Sequence, residues 1–212
     1  MTAKINYHLA FLIHKYPYQN AWIATLWLRQ YGIINAIIPK RTVQYNGQPF
    51  SLLQVYGRIS LTGGLSRFYK LEQLTMFYIP LPLLYPCLEL NKIIYDNLKG
   101  TVETCLFDAY HDLLAQLQHD TLDQLFYKFK MQILDNLGYG IQNEVDADNR
   151  PILTHAYYRI RPFQPFKRYE TGIAGDTIQK MRCYEHISAD ELTILHAIVN
   201  SFMAHDHKKL NP

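Results

Sequence analysis

Apolar residues along this chain change their spacing once, near residue 80, and the change predicts two kinds of structure. Before it they fall in short runs bounded by turn residues. Residues 9–14 (LAFLIH) form a compact run that Pro17 is expected to stop, and residues 21–28 (AWIATLWL) are aromatic and β-prone. A β-branched run at 33–38 is entered through Tyr31-Gly32 and closed by Pro39. Asn46-Gly47 and Gly63-Gly64 signal tight turns on either side of an extended segment at 51–60, and 65–71 supplies the last strand. Five short strands separated by turn chemistry predict a small closed barrel or sandwich rather than a parallel α/β sheet.

Beyond residue 80 the period becomes helical. Leu84, Leu88, Ile93, Ile94 and Leu98 share a face that Gly100 terminates, and Phe107, Tyr110, Leu113, Leu114 and Leu117 mark a second helix. Asp120-Thr121 is placed to cap a third, which carries Leu122, Leu125, Phe126, Phe129, Ile133, Leu134 and Leu137 before Gly138. Residues 141–187 contain Asp146, Asp148, Asn149, Pro151, Pro162, Pro165, Gly172 and Gly175, and predict an irregular or weakly β-structured segment. Ser188 and Glu191 have capping-box spacing at the head of a last helix, with Leu192, Leu195, Ile198, Val199 and Phe202 on its apolar face. The expectation is an α+β chain: a five-stranded β domain over 1–78, then a helical domain over 79–212 with the irregular segment 141–187 inside it.

Composition narrows the class. A chain of 212 residues that is 49% hydrophobic and 18% charged has material for a core and is far from disordered composition. The cysteines Cys87, Cys105 and Cys183 are widely spaced and odd in number, so neither a disulfide framework nor a zinc knuckle is expected, and they point to a reducing cytosol. Prolines 80, 82 and 86 interrupt the most apolar stretch, so a soluble protein without a membrane span is expected. No phosphate-binding loop, dinucleotide fingerprint, helical metalloprotease motif or nucleophile elbow is present, and catalysis is not expected. His111, His119, His205 and His207 read as surface or tail residues, and Asp146 with Asp148 as a turn rather than a cation site. No cofactor or metal is expected.

Charge changes the picture more. The formal net charge is only +3. Yet residues 1–74 carry Lys4, Lys15, Arg29, Lys40, Arg41, Arg58, Arg67 and Lys70 against a single acid, Glu72. Charge segregated in this way attracts a phosphate backbone. Tyr16, Tyr18, Tyr31, Tyr45, Tyr56, Phe68 and Tyr69 are interleaved with these cations, the mixture that single-strand binders use for stacking and neutralisation. A solvated basic face with ordinary core aromatics has the same composition. On the third helix Lys128 and Lys130 flank Phe129, which fits either a core helix with two solvated lysines or a groove for an acidic, apolar peptide.

Several local motifs occur in a familiar order. Ala10-Phe11-Leu12-Ile13-His14 is followed by Tyr16-Pro17-Tyr18; Gly32 precedes the third strand; Gln48-Pro49-Phe50 follows; and Leu137-Gly138-Tyr139-Gly140 closes the third helix. In this order, with a β-then-helix layout and a basic first part, the chain resembles the RecO family of recombination-mediator and DNA repair proteins. The resemblance implies an N-terminal OB-fold, a helical domain and no enzymatic turnover. It implies binding of single- and double-stranded DNA, annealing of complementary strands, and help in loading RecA onto DNA coated with single-strand-binding protein. It also implies RecR as a partner, docking of the single-strand-binding protein's C-terminal tail on the helical domain, and a cytoplasmic, nucleoid-associated location. Lys15, Arg29, Lys40, Arg41, Arg58, Arg67 and Lys70 are the expected DNA-binding residues, and Lys128, Lys130 and Phe129 the expected tail-binding ones, with Lys128 where relatives carry an arginine. Two departures stand out. The long basic loop of many relatives is reduced to Lys40-Arg41 in the short link 39–47, and the four-cysteine zinc site of some relatives is missing after the third helix. The shortened loop keeps open an adaptor of the same fold with weak or lost DNA binding. An enzyme would instead require converging titratable groups in a polar pocket.

Overall fold

A computed structural model describes residues 7–40, 48–60, 64–117, 122–138, 144–161, 164–183 and 187–206. The turn at Asn46-Gly47, Gly63, the cap at Asp120-Thr121, Tyr139-Gly140 and Arg41 lie outside the described residues. The chain forms two compact units, Met1–Gln118 and His119–Pro212.

In the first unit five strands close into a barrel: β1 (Tyr7–Tyr18), β2 (Ala21–Leu28), β3 (Gly32–Pro39), β4 (Ser51–Arg58) and β5 (Ser66–Met76). Their spatial order is β1-β2-β3-β5-β4, with β4 returning to β1 and only β3–β5 parallel. This is the strand order of an OB-fold. Alternation drives it: Ala24, Leu26 and Leu28 of β2, Ala36 and Ile38 of β3, Leu53 and Val55 of β4 and Phe68 of β5 point inward and form the core. Pro17 does not end β1 as expected. β4 pairs β1 only from Tyr7 to Phe11, so the far edge of β1 beyond that point is open and a missing N–H there forfeits no ladder bond. A bulge between Leu12 and His14 turns this extension outward. β5 likewise runs past the expected residue 71 to Met76, because β4 continues to pair with it.

The outer face of β1 and β2 carries a second apolar layer. Phe11 and Trp27 pack against Phe107 and Tyr110, with centroid separations of 4.8 and 4.9 Å from Phe11. The latter two belong to α2 (Thr104–Gln116), which follows α1 (Leu81–Asn97). Each such ring removes roughly 150–250 Å² from water, an upper bound of about 4–6 kcal/mol apiece. The Tyr110 hydroxyl donates to Asn91 Oδ1 at 2.6 Å, tying α2 to α1 inside the core. Gly32 has φ +70° and lies so close to Thr101, just past α1, that a Cβ would fall 2.0 Å from its carbonyl oxygen. Only glycine fits that contact.

The second unit contains α3 (Leu122–Asn136), a small sheet of β6 (Tyr157–Arg159), β7 (Lys167–Tyr169) and β8 (Ile173–Ala174), then α4 (Gly175–Cys183) and α5 (Ala189–Asp206). The weak β character expected in 141–187 becomes three short strands in the order β7-β6-β8, and α4 is a helix the periodicity did not announce. Tyr158, Phe166 and Ile178 fill the core beneath one face of this sheet. The capping box at the head of α5 is formed: Ser188 donates from both N and Oγ to Glu191 Oε2, at 2.9 and 2.6 Å. Among the described residues no helix is long and apolar enough to cross a membrane.

Candidate nucleic-acid interface

The expected cations separate into distinct environments once the barrel closes. At the β1–β2 end, Lys15 lies with its ammonium 4.7 Å from the Trp22 ring centroid, and Lys40 approaches the same ring at 5.5 Å. Lys40 also donates to the Gln19 carbonyl at 2.8 Å, fixing the turn between the two strands. Partial burial lowers the pKa of Lys15 below its ordinary value. Tyr16 and Tyr18 stand about half exposed beside this cluster. Trp22 was not singled out in the sequence, because what makes it a hub is the hairpin register that brings Lys15 and Lys40 onto it.

Arg58 and Arg67 form a second pair. They are direct cross-strand partners at the far ends of β4 and β5, both exposed and neither paired with an acid among the described residues. Arg67 is in turn opposite Ile37 of β3, and Ile37 opposite Ile23 of β2, which is opposite Tyr16 of β1. The pairings therefore align Tyr16, Ile23, Ile37, Arg67 and Arg58 across the strands, with Ile23 buried, Ile37 half-buried and Tyr16, Arg67 and Arg58 exposed. The β2–β3 face and the loops flanking β1–β2 and β4–β5 are where barrels of this topology take oligonucleotides and oligosaccharides.

Two other expected cations are already engaged. Arg29 makes a bidentate pair with Asp108 of α2, at 2.8 Å from Nε and 2.7 Å from Nη2, and the guanidinium lowers the Asp108 pKa below its usual value. Lys70 pairs with Glu72 at 2.6 Å, and the Tyr56 hydroxyl donates to the same carboxylate at 2.7 Å. These two contacts hold the Glu72 pKa down. Of the aromatics read with these cations, Phe68 is in the core and Tyr69 is exposed.

In the second unit, Lys128 is exposed on α3, whereas Phe129 and Lys130 are buried at 2% and 6% exposure. The Lys130 ammonium donates to Asn200 Oδ1 at 3.3 Å. Asp146 is buried rather than exposed, but it does form a turn: its Oδ1 accepts from the amides of Asp148 and Arg150 at 2.9 and 3.0 Å. His111 lies at the surface, its side chain 40% exposed, and packs edge-on against Phe77. No group of three His, Cys, Asp or Glu side chains suited to a metal gathers among the described residues.

A closed five-stranded barrel of this order, with a cation-and-aromatic cluster at one end and helices after it, defines an OB-fold protein of mixed α+β class. The chain is 27% identical over 182 residues to the DNA repair protein RecO of Francisella tularensis subsp. novicida, covering 81% of this chain and 77% of that one. It is 28% identical over 192 residues to the DNA repair protein RecO of Francisella philomiragia subsp. philomiragia, covering 85% and 81%. No protein-family model matches. Over about four fifths of its length the chain is thus similar to DNA repair proteins of the RecO family.

Proposed function

We propose that this chain binds DNA at the open end of its barrel, holds complementary strands close enough to pair, and so helps place RecA on DNA coated with single-strand-binding protein. The observation that carries this reading is the set of four cations that the barrel gathers: Lys15 and Lys40 converging on Trp22, and the opposed, exposed Arg58 and Arg67. A stretched phosphate backbone running from Lys15, Lys40 and the exposed Tyr16 towards Arg67 and Arg58 meets cations at both ends and an aromatic ring for stacking. No bond is made or broken in this scheme; annealing follows from neutralising two strands' repulsion. The second unit is assigned the tail of the single-strand-binding protein, with Lys128 as the exposed cation of α3 that meets a tail carboxylate. RecR is the remaining partner in this reading.

The adaptor alternative draws on the engagement of Arg29 and Lys70 by acids, which leaves fewer cations for phosphate than the sequence count suggested. Annealing of complementary oligonucleotides at rising salt separates the two. With four phosphate contacts on a single strand, log K should fall against log salt with a slope of about −3. A flat salt dependence, or tail-peptide binding with negligible DNA affinity, selects the adaptor.

A further inference from the structure

Outside the barrel, the densest unpaired positive charge in the described structure is on the hairpin of β6 and β7. Between Asp148 and Glu170 the sequence contains no acid, while Arg150, Arg159, Arg161, Lys167 and Arg168 all fall there. The register places Arg159 directly opposite Lys167 and Tyr157 directly opposite Tyr169. Alternation puts these four on one face of the sheet, and all four are exposed. Arg159 stacks on the Tyr169 ring at 4.1 Å, and Lys167 stands 6.0 Å from the same ring. A shallow pocket beside them is lined by Arg159, Arg161, Gln164, Pro165, Lys167 and Tyr169. Neither Arg159 nor Lys167 has an acidic partner among the described residues.

The reverse face of the sheet explains why this arrangement holds its shape. Tyr158 is buried at 1% and its hydroxyl accepts from the Leu153 amide at 2.9 Å. Gly172 and Gly175 pack so tightly that a Cβ would fall 2.4 Å from the Tyr158 carbonyl oxygen and 2.0 Å from that of Leu153. A platform anchored this way keeps two like charges opposed, which is unfavourable unless an anion neutralises them. Residues two apart on a strand are separated by about 6.6 Å, of the order of the phosphate spacing in a stretched single strand. Tyrosine and cation alternate at that interval. An acidic peptide would use the cations but leave the exposed Tyr157 ring idle.

We propose that the exposed face of the β6–β7 hairpin, through Arg159, Lys167, Tyr157 and Tyr169, is a second binding site for single-stranded nucleic acid, separate from the barrel. It rests on the DNA-binding reading of the chain and adds a second surface within the other unit. The test measures the full chain on a fluorescein-labelled oligothymidylate by anisotropy across a salt series. R159E/K167E is compared with the barrel variant R58E/R67E and with the combination, each checked for an unchanged melting profile. Losing two contacts should flatten the slope of log K against log salt by about 1.4 and weaken binding roughly tenfold at low salt. The combined variant should lose more than either pair alone, and polyglutamate should not displace the oligonucleotide. An unchanged slope and affinity in a folded R159E/K167E chain overturns the proposal, as does displacement by polyglutamate as readily as by unlabelled oligothymidylate. Should that variant fail to fold, photocrosslinking of iodouracil-substituted oligonucleotide to the wild-type chain decides: adducts at Tyr157 or Tyr169 support the site, and their absence overturns it. If R58E/R67E is silent while R159E/K167E is damaging, the barrel reading fails and this site stands; the reverse outcome sinks this site alone.

Discussion

Trp22 is the residue on which two lysines from different strands converge, and its ring does what neither lysine can do for itself. Lys15 belongs to β1 and Lys40 follows β3, so without a common surface their long stems would sample separate rotamers. Cation–π attraction at a partly exposed site is worth about 0.5–1 kcal/mol per contact. Trp22→Leu should therefore weaken single-strand binding roughly tenfold by removing the ring on which both ammonium groups converge, while Trp22→Phe retains most of the affinity. Anisotropy titrations of the two variants, beside thermal melts, check this; equal losses would mean the site reads bulk rather than ring. Arg67 poses the converse case. Facing Arg58 across the ladder, it costs stability in the free protein, so Arg67→Gln should raise the barrel's stability by about 0.2–1 kcal/mol while lowering DNA affinity. A variant that gained neither stability nor lost affinity would remove Arg67 from the interface.

Elements were legible where periodicity and caps agreed, and less so where partners far along the chain decide. The five strands and the helices α1, α2, α3 and α5 follow from apolar spacing, and Ser188 with Glu191 announced the head of α5 from four residues of sequence. Strand ends were not legible, because whether β1 survives Pro17 depends on where β4 stops pairing with it. Helix α4 was hidden by the Gly and Pro residues around it, and by a length of nine residues that offers barely two turns of pattern. For the interface, the cations could be read from the sequence but their engagement could not: Asp108 is 79 residues from Arg29. The acid-free stretch before Glu170 was visible and its importance lay in the β6–β7 register. Glu191 offers a test at this scale. Its carboxylate accepts from Ser188, Thr177 and Lys180, which hold its pKa at about 2, below the ordinary value near 4.3. A depressed native value means the stabilisation is present above the unfolded pKa and disappears as pH falls from about 5 towards 2. Glu191→Gln should cost about 1 kcal/mol at neutral pH and shrink the acid-induced loss, as followed by melts of both chains between those limits.

At the scale of the whole molecule, a net charge of +3 conceals a first part with eight cations to one acid and a cationic hairpin within the second unit. How many DNA strands one molecule carries follows from which of these patches bind. A chain with a single nucleic-acid surface brings two strands together only by pairing with another protein molecule. Raising protein over DNA then coats both strands and drives annealing to a plateau. A chain with one surface in each unit can hold two strands itself, and excess protein becomes inhibitory because every strand acquires its own molecule before meeting another. The expected outcome is an annealing rate that rises with protein, passes through a maximum when binding surfaces and strands are comparable, and then falls. R159E/K167E should convert that curve into a plateau at a lower rate, since only the barrel surface is left to it. Stopped-flow annealing of complementary oligonucleotides over a range of protein ratios reads this directly. A wild-type curve that saturates without declining would show that strands meet through association of protein molecules, with one surface apiece.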